Sequence, residues 1–356
     1  MVDYFLEKDN IFTFSDTEEM FIYDKGIYCH KGDKKISKDI QELISDYVTT
    51  HIVNEVLGQI KRTTYRNREE VTEPIDKICL KNGILNLRTL EIEEHSSDVV
   101  FFNSINVSYI PDADCPKILK FLNEVVFKED LIILQEFVGY CLYKGYPIHK
   151  ALMLVGGGAN GKSTFIRLLK EFLGQVNCSS IPLQQLENNR FALSTLFGKL
   201  ANIFADLPAR ALRETSVFKM LTGEDLIPAE KKFKDHFFFD NYAKMIFSAN
   251  QIPRSPDDSD AFFRRWIIIN FPNQFLESKA DKHLIKKITT PEELSGFLNF
   301  AIEGLKRLLD NGEFSNSKAI QQVREIYIRQ SDSVGAFVMD FILVSPDCYV
   351  QKRELY

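Results

Sequence analysis

Residues 156–164, with the sequence GGGANGKST, constrain this chain more than any other stretch because they match the pattern G-x-x-x-x-G-K-[ST] without a mismatch. An apolar run at 151–155 predicts a buried strand before the glycines. After them, apolar residues recur at helical spacing as far as Leu173, and Gly174 predicts the end of that helix. A strand, a glycine loop and a helix in this order predict a phosphate-binding loop rather than a chance glycine turn.

Such a loop has a defined chemistry. Its backbone N–H groups point at the phosphates, and the N-terminus of the following helix adds partial positive charge. Lys162 is expected to bridge the β- and γ-phosphates of ATP, and Ser163 is expected to place its hydroxyl on Mg²⁺. The residues predicted to bind the nucleotide are Gly156, Gly158, Asn160, Gly161, Lys162, Ser163 and Thr164.

The composition of the chain is that of a globular protein without a membrane span. The chain has 356 residues, enough for two or three domains, and its 45% hydrophobic and 26% charged residues are typical of a globular protein. No apolar run approaches the roughly 18 residues that a membrane span needs, and the N-terminus lacks the pattern of a signal peptide. No membrane partner is therefore expected.

Cysteine, histidine and charge exclude further classes. The six cysteines and six histidines are scattered without a C-x-x-C pair, which predicts reduced thiols, no metal cluster and a cytoplasmic location, in a host cell if the gene is viral or plasmid-encoded. Proteins that bind nucleic acids are usually basic, whereas this chain has a net charge of −6. A DNA-binding surface must therefore concentrate its positive charge locally. The basic run at 61–68 is interpreted as a solvated loop.

Changes of pattern along the chain predict several segments. The N-terminal part combines a meander of short strands with a helix from Ile40 to about Ile60, whose apolar face includes Leu43 and Tyr47, and a hairpin around Asn82-Gly83. The predicted segments are an accessory N-terminal module (1–110), a helical linker (111–147), the nucleotide-binding core (148–273), C-terminal helices (274–330) and the start of a truncated small domain, for which a winged helix is a candidate (331–356).

A second motif lies at 199–206, where an apolar strand is predicted to end in Asp206. An acid at this edge of a parallel sheet reaches Mg²⁺ or its water, which is the Walker B role. Because Ala205 occupies the preceding position, only one acid is present. Asp206 either serves both the metal and the attacking water or is assisted by another group, and an ordinary strand-end aspartate is the plainer alternative.

Two polar features complete the predicted site. Asn250 ends another apolar strand, and its amide can orient an attacking water near the γ-phosphate. Arg264 and Arg265 stand immediately before a further strand, and their forked guanidinium groups suit the charge that develops on phosphate, although a surface ion-pair cluster is the alternative. All these motifs fall within residues 156–265, which predicts a compact core.

A hairpin is predicted between Asp206 and Asn250. Residues 219–240 indicate the end of a helix and two short strands joined by a basic tip. The tip carries Lys231, Lys232, Phe233 and Lys234, which are predicted to bind DNA because lysines neutralise phosphates and an aromatic ring stacks on bases. A charge run is most often solvated, but this one lies where a pore loop would lie.

In this order and at this spacing, the four motifs resemble the superfamily 3 helicases, and most of all the group found in phage, plasmid and large DNA virus primase-helicases. The matching phrases are GKLANI before Asp206, FKMLTGED, AEKKFK, IFSANQIP and FRRW. The stretch at 230–233 is also similar to the pre-sensor hairpin of the polyomavirus large T antigen, with Phe233 where that family often has histidine. LKNGILNL and LQEFVGY resemble the accessory domain that precedes the motor, so the likeness is best over about 75–275.

The resemblance implies an α/β fold: an AAA+ P-loop core with a parallel central sheet, preceded by a mixed α/β and helical accessory domain and followed by helices. It implies ATP hydrolysis with Mg²⁺ at the interfaces of a homo-oligomeric ring, usually a hexamer, and 3′-to-5′ movement on single-stranded DNA. Asp206 is expected to activate water, Asn250 to act as sensor 1, and Arg264 or Arg265 to reach the neighbouring subunit. The predicted catalytic residues are Lys162, Asp206, Asn250, Arg264 and Arg265, and the predicted metal ligands are Ser163 and Asp206.

The sequence thus predicts the motor of an ATP-dependent replicative helicase that acts on single-stranded or forked DNA. No primase module is visible, and the last residues begin a compact unit that stops abruptly, so the chain is expected to be a fragment that works with a primase or polymerase module in the same or another chain. The first alternative is a nucleotide-switched module that binds or loads DNA without unwinding it. An RNA helicase of the same superfamily and a small-molecule kinase are weaker alternatives.

Overall fold

The structure is a computed structural model that describes residues 1–275, 281, 283–342, 349 and 351. Its helices are α1 (Val2–Lys8), α2 (Gly32–Ile44), α3 (Thr50–Thr63), α4 (Pro116–Val125), α5 (Lys128–Tyr140), α6 (Lys162–Leu173), α7 (Leu183–Asn188), α8 (Arg190–Leu193), α9 (Ser216–Leu221), α10 (Asp260–Phe263), α11 (Leu284–Ile288), α12 (Pro291–Asn311), α13 (Ile320–Ser331) and α14 (Ser333–Phe341). Its strands are β1 (Ile11–Phe14), β2 (Met20–Asp24), β3 (Ile27–His30), β4 (Tyr65–Arg66), β5 (Lys77–Leu80), β6 (Gly83–Asn86), β7 (Ile92–Glu93), β8 (Ala151–Val155), β9 (Cys178–Ser179), β10 (Ala201–Phe204), β11 (Leu226–Ala229), β12 (Phe237–Asp240), β13 (Lys244–Ala249) and β14 (Trp266–Asn270).

A parallel sheet forms the centre of the fold, with the strands of the described residues in the order β14-β8-β13-β10-β9. β8 and β13 are buried along their whole length, as expected for strands that are covered on both faces. β8 lies between β13 and β14, so the loops that follow β8 and β13 leave the same edge of the sheet side by side. The predicted α/β class with a parallel central sheet is confirmed.

The elements predicted around the glycine loop are also confirmed. β8 precedes the loop, and α6 begins at Lys162 and ends before Gly174, which has φ +86°. One face of α6 is buried in the core through residues that include Phe165, Leu168 and Phe172. β10, β13 and β14 occupy the three other runs that the sequence predicts as strands.

The N-terminal strands form a small sheet in the order β3-β2-β1-β4, of which β1, β2 and β3 are the predicted meander. The single helix predicted over about 40–60 is wrong, because α2 and α3 are separate and a 3₁₀ turn at Ser45–Tyr47 lies between them. Ser45 has φ +44°, which lies outside the α region. Leu43 and Tyr47 are consequently 50% and 83% exposed instead of forming a buried face.

The hairpin predicted around Asn82-Gly83 is confirmed as β5 and β6, and β7 adds a third strand to it. Ile78 and Leu85 of this hairpin pack in the same apolar core as α4, α5 and the parallel sheet. A separate apolar cluster around Phe5 and Ile36 joins α1, α2 and α3. The apolar core around the parallel sheet therefore extends across residue 110, the predicted end of the accessory module.

A buried polar network joins this part of the chain to the sheet. The Glu73 carboxylate accepts hydrogen bonds from Lys144 Nζ and the Tyr242 hydroxyl, both at 2.5 Å, and from the Phe102 backbone N–H at 3.0 Å. Burial lowers the pKa of Lys144 although Glu73 acts in the opposite direction, and burial together with Glu73 raises the pKa of Tyr242. These contacts attach the segment around Glu73 to the residues that precede β8 and β13.

The helices α5 and α12 approach closely because Gly139 lies where they meet. A Cβ atom at Gly139 would lie 2.1 Å from the carbonyl oxygen of Ala301 and 2.7 Å from the backbone nitrogen of Leu305. One turn away, Arg307 Nε of α12 donates to Glu136 Oε1 of α5 at 2.7 Å. The backbones of the two helices are thus in direct contact, and no side chain can be inserted between them.

The chain after the sheet is helical, as predicted. α12 ends at Asn311, and Gly312 closes it in the left-handed conformation with φ +71°. α13 corresponds to the helix that the sequence predicts over 319–330, and α14 takes the first part of the small domain predicted at 331–356. The rest of that predicted domain lies almost wholly outside the described residues. No described helix is both long and apolar enough to cross a membrane.

We expect Gly139→Ala to destabilise the fold because the added Cβ atom would overlap the backbone of α12 and force the two helices apart. Overpacking of this kind typically costs about 1–3 kcal/mol. The free energy of unfolding, measured by urea titration followed by circular dichroism, should fall by about that amount.

Gly58→Ala is the matched control, because Gly58 also lies inside a helix, α3, but a Cβ atom there would meet only the flexible side chain of Arg62, at 3.1 Å. Alanine favours the helix more than glycine does, so this variant should be as stable as the parent or more stable by up to about 1 kcal/mol. Equal stability of the two variants would contradict the close packing of α5 and α12.

Candidate active site

The glycine loop makes a tight turn between β8 and α6. Gly161 precedes α6 with φ +91°, and a Cβ atom there would lie 2.6 Å from Val125 Cγ1, so both conformation and space require glycine. Gly157 and Gly158 are exposed, and no atom lies within 4 Å of the Cβ position at either residue. The outer side of the loop is therefore open next to a helix N-terminus, where backbone N–H groups favour an anion.

The segment that follows β14 holds the loop in place. Phe271 donates its backbone N–H to the Val155 carbonyl at 2.8 Å and accepts from Asn160 Nδ2 at 3.3 Å. Phe275 donates its backbone N–H to the Ala159 carbonyl at 2.7 Å. Asn160 is thus a structural member of the loop, with its side chain directed towards the neighbouring strand rather than outward.

Lys162 Nζ is surrounded by oxygen acceptors. It donates to the carbonyl oxygens of Gly156 at 2.5 Å and Gly157 at 3.0 Å. It also donates to the side-chain oxygens of Asn160 at 3.1 Å and Asn250 at 3.3 Å. None of these four acceptors is a carboxylate, so hydrogen bonding leaves the charge of the ammonium group available for a phosphate.

Asn250 and Asp206 are exposed where the chain leaves β13 and β10. The Leu207 backbone N–H donates to the Ser248 carbonyl at 2.7 Å, which holds the turn after β10 against β13. Burial lowers the pKa of Lys162, whereas the negative charge of Asp206 raises it, so the two side chains are within electrostatic reach of each other. Lys162 therefore contacts Asn250, and Asp206 lies at the same edge of the sheet, after the strand beside β13.

The donor set for a metal ion is sparse. Ser163 is exposed in the first turn of α6, Asp206 is exposed at the sheet edge, and Ala205 contributes no ligand. In the part of the chain that the structure describes, no group of three or more His, Cys, Asp or Glu residues could hold a metal. One hydroxyl and one carboxylate nevertheless suit Mg²⁺, because that ion keeps several waters and takes further ligands from nucleotide phosphates.

Arg264 and Arg265 lie at the opposite end of the sheet from the glycine loop. Trp266, the first residue of β14, pairs with Ala151, the first residue of β8, whereas the loop follows the last residue of β8. Five strand residues at about 3.3 Å each separate these ends by roughly 17 Å. Neither guanidinium therefore reaches the phosphate-binding loop of its own chain.

The two arginines differ in exposure, which their adjacent positions in the sequence could not reveal. Arg264 is exposed, and its carbonyl oxygen accepts a hydrogen bond from Lys150 Nζ at 2.6 Å. Arg265 is buried and donates to the Ala261 carbonyl, and burial lowers its pKa, as does the neighbouring charge of Arg264. Of the pair, Arg264 is the residue that can contact a second molecule.

The predicted hairpin is present, with β11 and β12 paired antiparallel after α9. Phe233 at its tip is 100% exposed and has φ +63°, and Lys232 and Lys234 on either side are exposed as well. An aromatic ring between two lysines can contact both the bases and the phosphates of a single strand.

Lys231 is held by the N-terminal sheet. Its Nζ contacts the two carboxylate oxygens of Glu19 at 2.5 and 2.7 Å, and His30 Nε2 contacts the same carboxylate at 2.8 Å. Burial would raise the pKa of Glu19, but the hydrogen bonds from His30 and Lys231 lower it to about 2. Sequence reasoning missed this contact because nothing in the local pattern relates residue 19 to residue 231.

Arg68 reinforces the same junction. Its guanidinium carbon lies 4.1 Å from the ring centroid of Phe14 and 4.2 Å from that of Phe237, the residue of β12 next to the basic loop, and its Nε lies 2.5 Å from Asp16 Oδ2. Such cation–π contacts stabilise packed rings. The interpretation of residues 61–68 as a solvated loop is therefore wrong. Lys61 and Arg62 belong to the last turn of α3, residues 65–66 form β4, and Arg68 joins the N-terminal sheet to the hairpin.

Two family descriptions match separate parts of the chain. The family described as "D5 N terminal like" matches residues 4–127, which include the N-terminal sheet and α4. The "Family of unknown function (DUF5906)" matches residues 154–265, which include the glycine loop, the hairpin and the arginine pair. Each match covers about a third of the chain.

A curated relative and several solved structures resemble the chain over most of its length. A protein of Acanthamoeba polyphaga mimivirus named "Putative helicase L207/L206" is 23% identical over an alignment of 317 residues, which covers 78% of this chain. The chain spans only 33% of the length of that relative.

Among solved structures, the A-form apo structure of the NrS-1 C-terminal region has a TM-score of 0.60 and 14% identity over 92% of this chain and 73% of that chain. A second apo structure of the same region has a TM-score of 0.56 and 14% identity over 97% of this chain and 82% of that chain. At these identities the likeness shows a shared fold.

We expect Lys162→Met to weaken the binding of ATP by about ten- to a hundredfold, because a hydrogen bond to a charged group contributes about 1.5–3 kcal/mol. Affinity is measured by titration with a fluorescent ATP analogue in the presence of Mg²⁺. Lys170→Met, on the same helix but near its other end, should bind ATP like the parent protein. Equal affinities for the two variants would contradict the assignment of the loop.

Proposed function

We propose that this chain is the motor of an ATP-dependent replicative DNA helicase of superfamily 3, with an AAA+ core that works as a ring. The observation that carries the proposal is the contact of Lys162 with Asn250 beside an open glycine loop, with Asp206 at the same edge of the sheet. The resemblance of the motifs to that superfamily, the D5 N terminal like match and the name of the mimivirus relative support the same proposal.

In this proposal, the loop binds the triphosphate of ATP. Lys162 pairs with the β- and γ-phosphates, while the first N–H groups of α6 and the open glycines 157 and 158 contact their oxygens. Ser163 and Asp206 hold Mg²⁺, which neutralises phosphate charge when it is bound. Asn250, already 3.3 Å from Lys162 Nζ, orients the attacking water, and Asp206 accepts its proton.

Arg264 supplies the cationic group that acts on the site of a neighbouring copy. Its position about 17 Å from the glycine loop of its own chain, together with its exposure, supports action between subunits rather than within one. A site that takes its arginine from the next copy is complete only in an assembly. A closed ring of identical subunits satisfies this requirement for every site at once.

The hairpin contacts the DNA strand. Lys232 and Lys234 neutralise phosphates, and Phe233 stacks on a base or separates neighbouring bases. Lys231 serves differently, because the carboxylate of Glu19 already holds it within the loop that joins the two strands of the hairpin. In a ring, these tips lie around a common axis, where a net charge of −6 per chain is offset locally by their lysines.

The second candidate is a nucleotide-switched module that grips or loads DNA without unwinding it. Ala205 favours it, because the pair of acids that would divide metal binding and water activation is reduced to Asp206. Primase or polymerase partners in the same or another chain belong to the proposal as well, since the chain spans a third of the length of its mimivirus relative.

We expect Lys232→Ala/Lys234→Ala to weaken binding of single-stranded DNA at least about tenfold and to lower its salt dependence. Each lost phosphate contact should reduce the slope of log affinity against log salt by about 0.7. The measurement is fluorescence anisotropy of a labelled oligonucleotide at several salt concentrations, followed by DNA-stimulated ATP hydrolysis and strand displacement on a forked duplex.

Lys120→Ala/Lys306→Ala is the matched control, because these exposed lysines lie on α4 and α12 instead of the hairpin. This variant should bind and unwind DNA like the parent protein. Equal losses in both variants would contradict the hairpin assignment. If the parent binds DNA in a nucleotide-dependent manner but neither hydrolyses ATP faster with DNA nor separates strands, the function is that of a loading module and not of a helicase.

A further inference from the structure

Asp257 joins two parts of the proposed motor. It lies in the segment 251–259 that follows β13, and it accepts hydrogen bonds from the Ser259 N–H at 2.9 Å and the Ser259 hydroxyl at 2.6 Å. The same carboxylate accepts from Lys219 Nζ at 2.9 Å and from the Thr215 hydroxyl, both on the helix that leads into the hairpin. None of these side chains belongs to the proposed nucleotide or DNA contacts.

The helix α9 presents one face to this carboxylate. Thr215 is the N-cap residue of α9, and Lys219 follows one turn later, so both side chains lie on the same side. The carboxylate of Glu187 accepts from the backbone N–H groups of Val217 at 3.3 Å and Phe218 at 3.0 Å. Two carboxylates therefore fix the first turn of α9, one from the segment after β13 and one from α7.

The other end of α9 is attached to the hairpin. Asn241, directly after β12, donates from Nδ2 to the Leu221 carbonyl at 2.7 Å and accepts at Oδ1 from the Ala243 N–H at 3.2 Å. β11 begins shortly after α9 ends, so both strands of the hairpin are connected to the same helix end. A displacement of α9 consequently carries the hairpin with it.

The segment 251–259 is equally tied to the nucleotide side. Asn250, which immediately precedes it, lies 3.3 Å from the lysine of the glycine loop. The N–H of Leu212, in the stretch after Asp206, donates to the Arg254 carbonyl at 2.8 Å. Asn250 therefore leads directly into the segment 251–259, and the stretch that follows Asp206 is hydrogen-bonded to the same segment.

We propose that Asp257 is a positioning residue that couples the nucleotide site to the basic hairpin through α9. This inference rests on the proposed helicase function. The contacts of Asp257 are the route by which DNA bound at the hairpin changes the rate of ATP hydrolysis. Because coupling between two binding sites is reciprocal, ATP bound at the loop changes the position of the hairpin through the same contacts.

The charge of Asp257 suits this role. Burial would raise the pKa of Asp257, but hydrogen bonds from Ser259, Thr215 and Lys219 hold it well below its usual range. An ionised acceptor forms shorter and stronger hydrogen bonds than a neutral one. Replacement by asparagine keeps the size of the side chain and one acceptor oxygen while it removes the charge.

The first test is Asp257→Asn, with ATP hydrolysis measured with and without single-stranded DNA. We expect the rate without DNA to stay within about twofold of the parent and the stimulation by DNA to fall about fivefold, a coupling change of ordinary size. Lys219→Met should produce the same loss, and the double variant should lose no more, because both changes remove one shared contact.

Two controls separate coupling from folding. Lys219→Arg keeps the positive charge and should retain most of the stimulation by DNA. If the loss of stimulation were merely structural, its size in each variant would instead follow the decrease in the unfolding midpoint. Asp281→Asn removes the carboxylate of an exposed ion pair with Lys287 and should leave the stimulation unchanged. If Asp257→Asn does not fold, Lys219→Met carries the test, because Lys219 is partly exposed.

A second readout needs no DNA. A fluorophore on Asp235→Cys, at the exposed tip of the hairpin, should change its emission when ATP binds in the parent and not in Asp257→Asn. If DNA stimulates the parent and both coupling variants equally and the label still responds to ATP in them, the inference is overturned while the proposed function stands. A parent that hydrolyses no ATP in response to DNA overturns the proposed function, and the label then tests the coupling alone.

Discussion

The contact between Lys162 and Asn250 is the interaction on which the rest of the arrangement depends. The two side chains meet at 3.3 Å because β13 lies directly beside β8 and both strands end at the same edge. The opposite end of β13 is anchored by Lys244, whose buried ammonium group donates to the carbonyl oxygens of Tyr143 at 2.8 Å and Gly145 at 2.9 Å, and whose pKa burial lowers to about 7. The strand that carries the amide is therefore held at both ends, so that its distance from the glycine loop is set by the fold.

The same sheet explains why the proposed motor needs more than one copy of the chain. The glycine loop follows the last residue of β8, while Arg264 precedes the strand that pairs with the first residue of β8. The length of the strand separates the two groups within one molecule, and a neighbouring copy can bring them together. The hairpin is inserted between β10 and β13 in the chain, and Glu19 and Arg68 of the N-terminal part contact the end of it that carries the basic loop.

Much of the core could be predicted from the sequence, because the glycine loop, the apolar strands and the polar residues at their ends are local patterns. Strand order, and with it the meeting of Lys162 and Asn250, depends on pairing between distant segments that periodicity does not encode. The difference between Arg264 and Arg265 depends on how the chain turns between α10 and β14, and adjacent residues carry no signal for it. The contacts of Glu19 with Lys231 and of Asp257 with Lys219 join segments far apart in the chain, and single charged residues in loops give no pattern from which to infer them.

The proposed motor hydrolyses ATP at sites that are shared between copies gripping a DNA strand. This sharing can be tested by the rate of ATP hydrolysis per subunit as a function of protein concentration, with and without single-stranded DNA, for the parent and for Arg264→Ala. We expect a rate that rises with concentration and rises again with DNA in the parent, and a low rate at all concentrations in Arg264→Ala. A rate that depends on neither concentration nor DNA, and that is unchanged in Arg264→Ala, would mean that the site is complete within one chain and would rule out shared sites.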